Sequence, residues 1–485
     1  METTETNRGE GRLATALIMG LCVSVFFVDP IVTELRMLPY LFSWLPELFA
    51  GACGLLVLMS LARSGRLMMR PIYVALFLAF LAVMVAGWVF NEVHGWTVVA
   101  GIRVYIRYVP LFLLPVALAM SDFEIRRQLR FIAAILIFQF PMVILQKWVL
   151  GFRPDHITGT AMIGSTLSFV LISGMGLTLA MYLKGRLSAS LAVLLAFLFF
   201  FPTTINETKG TLVLMPICLI TVYFLCQKDG ERRVSPIVAL GSVSALIGVF
   251  FLMYTLTISS EERTKAGGLS GGLVEFISNP ERGLYSYLFS GDAKLVNAEA
   301  MLREGSSNVV GVESDPGVIE SRMRRLDSAV LPYYILRDKP TRLAFGLGAA
   351  NTSDFTIGGS SGRYDHIWQY IGTSVSATTI SLELGYFGLA AYLIFVLLIL
   401  QDSIRLARSD SSASPLGSWW AGIALMFLCA LIYKDFIKFN AIGFLFWYFS
   451  GVVVAKSYAA RTVKSVQPNL RSHPTTLIRA SKNAA

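Results

Sequence analysis

Residues 71–90 read PIYVALFLAFLAVMVAGWVF, twenty positions without a single charge. A helix of that length, at about 1.5 Å per residue, reaches across the ~30 Å hydrocarbon core of a bilayer. In hydrocarbon every backbone N–H and C=O has to be paired within its own segment, so the block reads as a helix. It lacks the alternation of a transmembrane β-strand.

Blocks of the same kind recur along the chain. Hydropathy gives about twelve spans, near residues 13–28, 39–62, 71–90, 97–120, 129–150, 161–183, 187–204, 211–227, 236–258, 376–400, 416–433 and 441–455. No small-residue cleavage site follows Val28, so the first block reads as an uncleaved span rather than a signal peptide. The composition agrees: 55% of the 485 residues are hydrophobic and only 15% charged, too few charges to cover a soluble protein of this size. The expected fold is an all-α integral membrane protein with about twelve transmembrane helices. It divides into an N-terminal bundle of about nine spans (1–258), a partly helical loop between spans 9 and 10 (259–375), about three C-terminal spans (376–458) and a tail (459–485).

The net charge of +10 sits beside the spans, which speaks for orientation in a membrane and against nucleic-acid binding. Arg63, Arg66 and Arg70 share one short loop; Arg126, Arg127 and Arg130 follow two spans later. Then come Lys184 with Arg186, Lys228 with Arg232 and Arg233, and Arg405 with Arg408. Every second loop is basic, which predicts an even number of spans, both termini in the cytoplasm, and residues 259–375 outside. The tail is basic and reads as disordered. In the long loop, Asp315-Pro316 is a helix-start signal, and Ile319, Met323, Leu326 and Val330 recur at helical spacing. Arg322 flanks that stripe, and Pro332 is expected to kink or end the helix.

Few residues could carry chemistry. Arg103 and Arg107 lie in the fourth span, GIRVYIRYVPLFLLP (101–115), at i and i+4 on one face. Measured from Thr97 they stand about 9 and 15 Å along the axis. Burying each charge near a helix centre costs at least ~2.5 kcal/mol. Two fixed guanidinium forks suit a diphosphate or carboxylates; snorkelling, or a structural ion pair with Glu383, is the alternative. Glu383 lies in the tenth span, beside Gly385 and Gly388, whose spacing suits close helix packing. It reads either as an arginine's partner or as a base. Glu207 and Lys209, and the group Lys434, Asp435 and Lys438, form charged rims on the outer side, where interfacial anchoring is the plain reading. His94, His156, His366 and His473 have no metal-site spacing, and no nucleotide-binding or serine-nucleophile signature is present. The five cysteines, all inside apolar runs, read as small buried side chains.

This layout resembles the superfamily of O-antigen ligases and Wzy-type O-antigen and exopolysaccharide polymerases of bacterial inner membranes. The likeness covers most of the chain and rests on order and spacing. GIRVYIRYVPLFLLP is similar to the family's arginine-bearing span, and VILQKWVLGFRPDHITGT (143–160) to its Gln-then-Gly-Thr outer edge. NETKGT (206–211), SRMRRLDSAVLPYYILRDKPTRLAFGLGAAN (321–351) with its Phe-Gly-x-Gly turn, and LELGYFGL (382–389) follow in the family's order.

The resemblance implies a glycosyltransferase that needs neither metal nor cofactor and uses a glycan carried on undecaprenyl diphosphate. Its setting would be the inner membrane, among membrane lipids, with flippase and chain-length regulator proteins as partners. Fixed cations would stabilise the leaving diphosphate, and a carboxylate or imidazole would take the acceptor's proton. Arg103, Arg107 and Arg322 or Arg325 are the diphosphate candidates, Glu383 and Asp435 the catalytic ones, with Glu207, Lys209 and His366 also in view. The ligase pattern has a histidine at the outer mouth of the post-loop span; counting back from Gly385 gives Ser374, and His366 lies further upstream. A polymerase is therefore expected ahead of a lipid A-core ligase. A flippase without chemistry and a non-catalytic assembly subunit are the readings from other classes.

Overall fold

The computed structural model describes residues 2–33, 35–152, 156–206, 208, 210–227, 235–237, 241–242, 244–248, 325–353, 362–365, 367–370, 374–437 and 439–471. Every regular element among them is a helix. We number the main ones α1 (Glu2–Val23), α2 (Leu45–Ser64), α3 (Pro71–Phe90), α4 (Gly95–Tyr105), α5 (Val109–Leu118), α6 (Asp122–Ile144) and α7 (Gly164–Leu183). They continue with α8 (Ala189–Ile205), α9 (Thr211–Gln227), α10 (Arg325–Leu336), α11 (Pro340–Phe345), α12 (Ser376–Ala407), α13 (Ser414–Ala430) and α14 (Asn440–Arg471).

Among the described residues, seven helical stretches are long and apolar enough to cross a bilayer: Gly9–Thr33, Tyr40–Ser64, Pro71–Phe90, Asp122–Val149, Gly164–Leu183, Ser376–Ala407 and Asn440–Thr462. The pair α4 and α5 makes an eighth if it is taken as one broken span. Three more apolar helices, α8, α9 and α13, have 17 residues each, about 26 Å of helix. The chain is thus a multi-pass membrane protein. More than half of the stretch expected to form span 9, and all of the loop from 259 to 324, lie outside the described residues.

The sequence explains the helix limits. Pro46 and Pro71 open α2 and α3 where a missing N–H costs nothing. Gly65 closes α2 at φ 59°, a left-handed turn that glycine adopts without strain. Ser121 and Glu124 form a reciprocal capping box at the start of α6. All five cysteines are unpaired.

The fourth span departs from the continuous helix expected over 97–120. It bends by 46° at a break over Ile106–Tyr108, so Arg107 stands in the break and not on a helical face. Pro110 is the cause: it has no N–H for the carbonyl of Ile106, which accepts instead from Val109 N at 3.0 Å. Pro332, by contrast, does not end α10, which runs on to Leu336. The carbonyl it orphans, that of Ser328, accepts from Thr378 Oγ1 of α12 at 2.8 Å.

Charged side chains gather at the two ends of the bundle. At one end Arg63 pairs with Glu10, and Lys456 with Asp122. There Asp402, 2% exposed, receives Arg70 at 2.8 Å, Arg461 at 2.7 Å and the Tyr73 hydroxyl at 2.7 Å. The basic loops around 63–70, 122–130 and 402–408 therefore meet on one side, together with the N-terminal helix and the end of the last span. The same contacts anchor α14, which continues as helix to Arg471, into the stretch read as a disordered tail.

Candidate functional site

The opposite end carries the candidate residues. Glu47, in the first turn of α2, takes both arginines of the fourth span on one oxygen. Arg103 reaches Oε1 at 2.8 Å and Arg107 at 3.4 Å. The partner acid is Glu47, not the Glu383 considered from sequence. Arg103 also lies over the Trp44 ring at 4.2 Å, and Arg107 over Tyr108 at 4.7 Å, so ring faces share the work of holding the charges. Asp29, which accepts from Asn440 Nδ2 at 2.8 Å, is electrostatically coupled to the same group. Glu47 Oε2 and Arg107 Nε are buried without a hydrogen-bond partner; buried polar atoms left so are uncommon.

The loop joining α13 to α14, Leu431–Phe439, meets cations at both ends. Arg107 Nη2 donates to Tyr108 Oη at 2.6 Å, and that hydroxyl donates to the carbonyl of Ile437 at 3.1 Å. At the other end Arg325 Nε donates to the carbonyl of Tyr433 at 3.0 Å and stacks on its ring at 4.7 Å. Burial, followed by the nearby Arg325 guanidinium, pushes the Lys434 ammonium below the usual lysine range, while Asp435 partly opposes this. Lys434 has no ion-pair partner among the described residues. The Tyr433 hydroxyl accepts from Gly210 N at 3.0 Å, which brings the NETKGT stretch to the same loop.

Asp435, in the same loop, is 3% exposed. Its Oδ2 accepts from Thr379 at 2.7 Å and Ser374 at 3.1 Å, and its Oδ1 from Ser376 at 3.4 Å. Ser374, which stands where the ligase pattern has histidine, thus touches a carboxylate.

Glu383 is fully buried and accepts four hydrogen bonds, each of 2.8 Å: from Tyr105 and Ala350 N on Oε2, and from Thr352 and Ser353 on Oε1. A carboxylate has about four acceptor positions, so this one is saturated. It ties the turn after α11 to α12 and to the arginine-bearing span. The Phe-Gly-x-Gly turn docks on the LELG stretch: Leu347 N and Gly348 N donate to the carbonyls of Leu382 and Glu383 at 2.7 and 3.0 Å. Gly385 at φ 66° breaks α12 at that contact, and a Cβ there would lie 2.4 Å from the Ala344 carbonyl. The glycine lets α12 approach the last turn of α11 and the turn that follows it.

The other stretches used for the resemblance are structural clamps. Gln146 Oε1 accepts from Thr158 N and Gly159 N at 3.1 and 2.8 Å, and Gln139 Oε1 accepts from Thr160 N at 2.8 Å. Asn206 Nδ2 donates to the carbonyl of Gly164 at 2.9 Å. Under Tyr105 and Tyr108 a cavity of about 350 Å³ extends between α3, α5, α12 and α14, walled by Phe77, Phe395 and Trp447.

Arg103, Arg107, Arg325, Glu383 and Asp435 are thus brought to one end of the bundle. Arg322, Glu207, Lys209 and His366 lie outside the described residues. Among those that are described, no three His, Cys, Asp or Glu side chains gather as metal ligands would. Sequence reasoning missed Glu47 and Tyr105. Glu47 left a signal, as a lone acid inside the apolar run LPELFAGACGLL; Tyr105 left none, since a tyrosine in a span is ordinary. No family model matches the chain, and no curated protein matches it in sequence.

Proposed function

We propose that the chain is a polysaccharide polymerase of the bacterial inner membrane. In this reading it joins repeat units carried on undecaprenyl diphosphate, by metal-independent glycosyl transfer at the periplasmic face. Twelve spans and cytoplasmic termini belong to the proposal. The meeting of three of the basic loops and both terminal helices at one end supports an even number of crossings.

One observation carries the reading. Arg107 of the broken span, joined to Arg103 through Glu47, reaches one end of the loop Leu431–Phe439 by way of Tyr108, Arg325 holds the other end, and Lys434 and Asp435 belong to the loop itself. Cations gathered this closely are costly unless an anion comes to them. A lipid diphosphate is such an anion, and the apolar cavity beneath Tyr105 and Tyr108 suits its hydrocarbon chain.

The chemistry then follows. The acceptor hydroxyl oxygen attacks the anomeric carbon of the donor sugar, and its proton passes to the Asp435 carboxylate. The bond between that carbon and the diphosphate oxygen breaks, and the leaving diphosphate keeps the electron pair under the arginines' field. Asp435 is favoured over Glu383 as base because Ser374 brings it to the post-loop mouth, while the acceptor positions of Glu383 are filled. A deletion strain tests the function. Single repeat units on lipid A-core, or short secreted oligosaccharide, agree with a polymerase. Full-length glycan held on undecaprenyl diphosphate with bare lipid A-core would make the protein a ligase, and loss of all outward sugar would make it a flippase.

A further inference from the structure

A second cavity, of about 280 Å³, opens at the other end of the bundle, on the side of the basic loops. It lies between α6, α7, α8, α13 and α14 and shares no lining residue with the candidate site. Its wall along α6 runs from Arg126 and Arg130 to Leu136, an axial distance of about 15 Å, or one leaflet of the ~30 Å core.

The deep part of this cavity is apolar and internally satisfied. Trp419 Nε1 donates to the carbonyl of Ser173 at 2.8 Å and Trp420 Nε1 to Ser450 Oγ at 3.0 Å, while Thr178 Oγ1 donates to the carbonyl of Gly174 at 2.9 Å. Water would find no partners there, and an apolar void of this size is destabilising when empty. The mouth is cationic. Arg126 and Arg130 are i and i+4 and both line the cavity. Arg126 spends only its Nε on its own helix, donating to the carbonyl of Asp122 at 3.2 Å. Neither guanidinium has an ion-pair partner among the described residues. Of the neighbouring acids, Asp122 pairs with Lys456 at 2.6 Å and its carboxylate acts on Arg126 only through its field, and Glu124 accepts from Ser121 N at 2.9 Å.

We infer that this cavity is a binding site for one anionic glycerophospholipid of the adjacent leaflet, with an acyl chain in the slot and its phosphate on Arg126 and Arg130. An apolar slot one leaflet deep, closed by two arginines without an ion-pair partner among the described residues, matches such a lipid in length and in charge. The inference does not depend on what the opposite end of the bundle catalyses.

The test uses the full chain in phosphatidylcholine nanodiscs with and without phosphatidylglycerol, reading retained lipid by native mass spectrometry and the melting midpoint. The wild type should retain phosphatidylglycerol preferentially and melt higher in its presence. The double variant Arg126→Gln/Arg130→Gln should lose most of that preference, each basic side chain contributing roughly fivefold, yet still hold a lipid. Leu177→Trp, which fills the slot, should retain neither lipid. An unchanged preference in the arginine variant would overturn the site, as would undiminished retention in Leu177→Trp. Displacement of phosphatidylglycerol by added polyprenyl phosphate would overturn the assigned occupant.

Discussion

Arg103 Nη2 stands 2.8 Å from Oε1 of Glu47, which makes an acid of the second span the resident counter-ion of the fourth. Because Arg107 shares that oxygen, one carboxylate serves two guanidinium groups, and its other oxygen has no partner. An incoming diphosphate would meet two forks already aimed and only half engaged. Arg103→Lys and Arg107→Lys keep the charge and lose the fork. A charge-assisted hydrogen bond contributes about 1.5–3 kcal/mol, so use of lipid-linked donor should fall roughly ten- to hundredfold at normal protein levels. Wild-type polymer from both lysine variants would make the pair structural.

Glu383 should report on folding before it reports on turnover. In Glu383→Gln an amide NH2 would face hydroxyl and N–H donors, leaving buried donors unmatched at about 1–3 kcal/mol each. The expected outcome is a lower melting midpoint in detergent, and a smaller drop, about 1 kcal/mol, for Tyr105→Phe. A Glu383→Gln protein that melts like the wild type but cannot turn over would restore this residue as a base.

Asp435 should behave in the opposite way. General-base removal typically costs 10²–10⁴-fold, so Asp435→Asn is expected to lose at least about a hundredfold in turnover while still retaining lipid-linked donor. Ser374→Ala, which removes one hydrogen bond to Oδ2, should lose only several-fold. Equal turnover in Asp435→Asn and wild type would remove the carboxylate from the mechanism.

The helical membrane architecture was legible because hydrocarbon leaves the backbone few options, and block length reports it directly. Reading Arg103 and Arg107 as neighbours also survived, since both reach Glu47, although the helix between them is broken. Pro110 carries the local signal for that break. The partner of the arginines was not legible, because Glu47 and Arg103 are far apart in sequence and no periodicity links them. Gly385 does serve close packing, against the end of α11 and Gly346, but its left-handed φ reflects a tertiary contact that no local pattern records. Pro332 lies inside α10 rather than at its end for the same reason, since Thr378, from another helix, donates to the carbonyl that the proline leaves unpaired.

Lys434 gives the site a pH signature. Its folded-state pKa lies below the ordinary value of 10.5, first through burial and then through Arg325. The unfolded chain therefore binds more protons in the window between the lowered pKa and 10.5, and stability contributed here rises with pH through that window. Below it, the charged amine is a cost. The melting-midpoint difference between Lys434→Gln and wild type should favour the variant at neutral pH and shrink as pH approaches 10.5. A difference independent of pH would mean that Lys434 is not strained by its neighbours. Saturating lipid diphosphate should remove the strain and narrow the same difference.

The most direct measurement is made on purified protein in nanodiscs, with a synthetic undecaprenyl-diphosphate oligosaccharide as the only sugar substrate and excess chelator present. The account predicts longer lipid-linked chains, released undecaprenyl diphosphate in equal number to the bonds formed, and no effect of the chelator. Donor that stays at its starting length, under conditions where the protein binds it, would contradict the account.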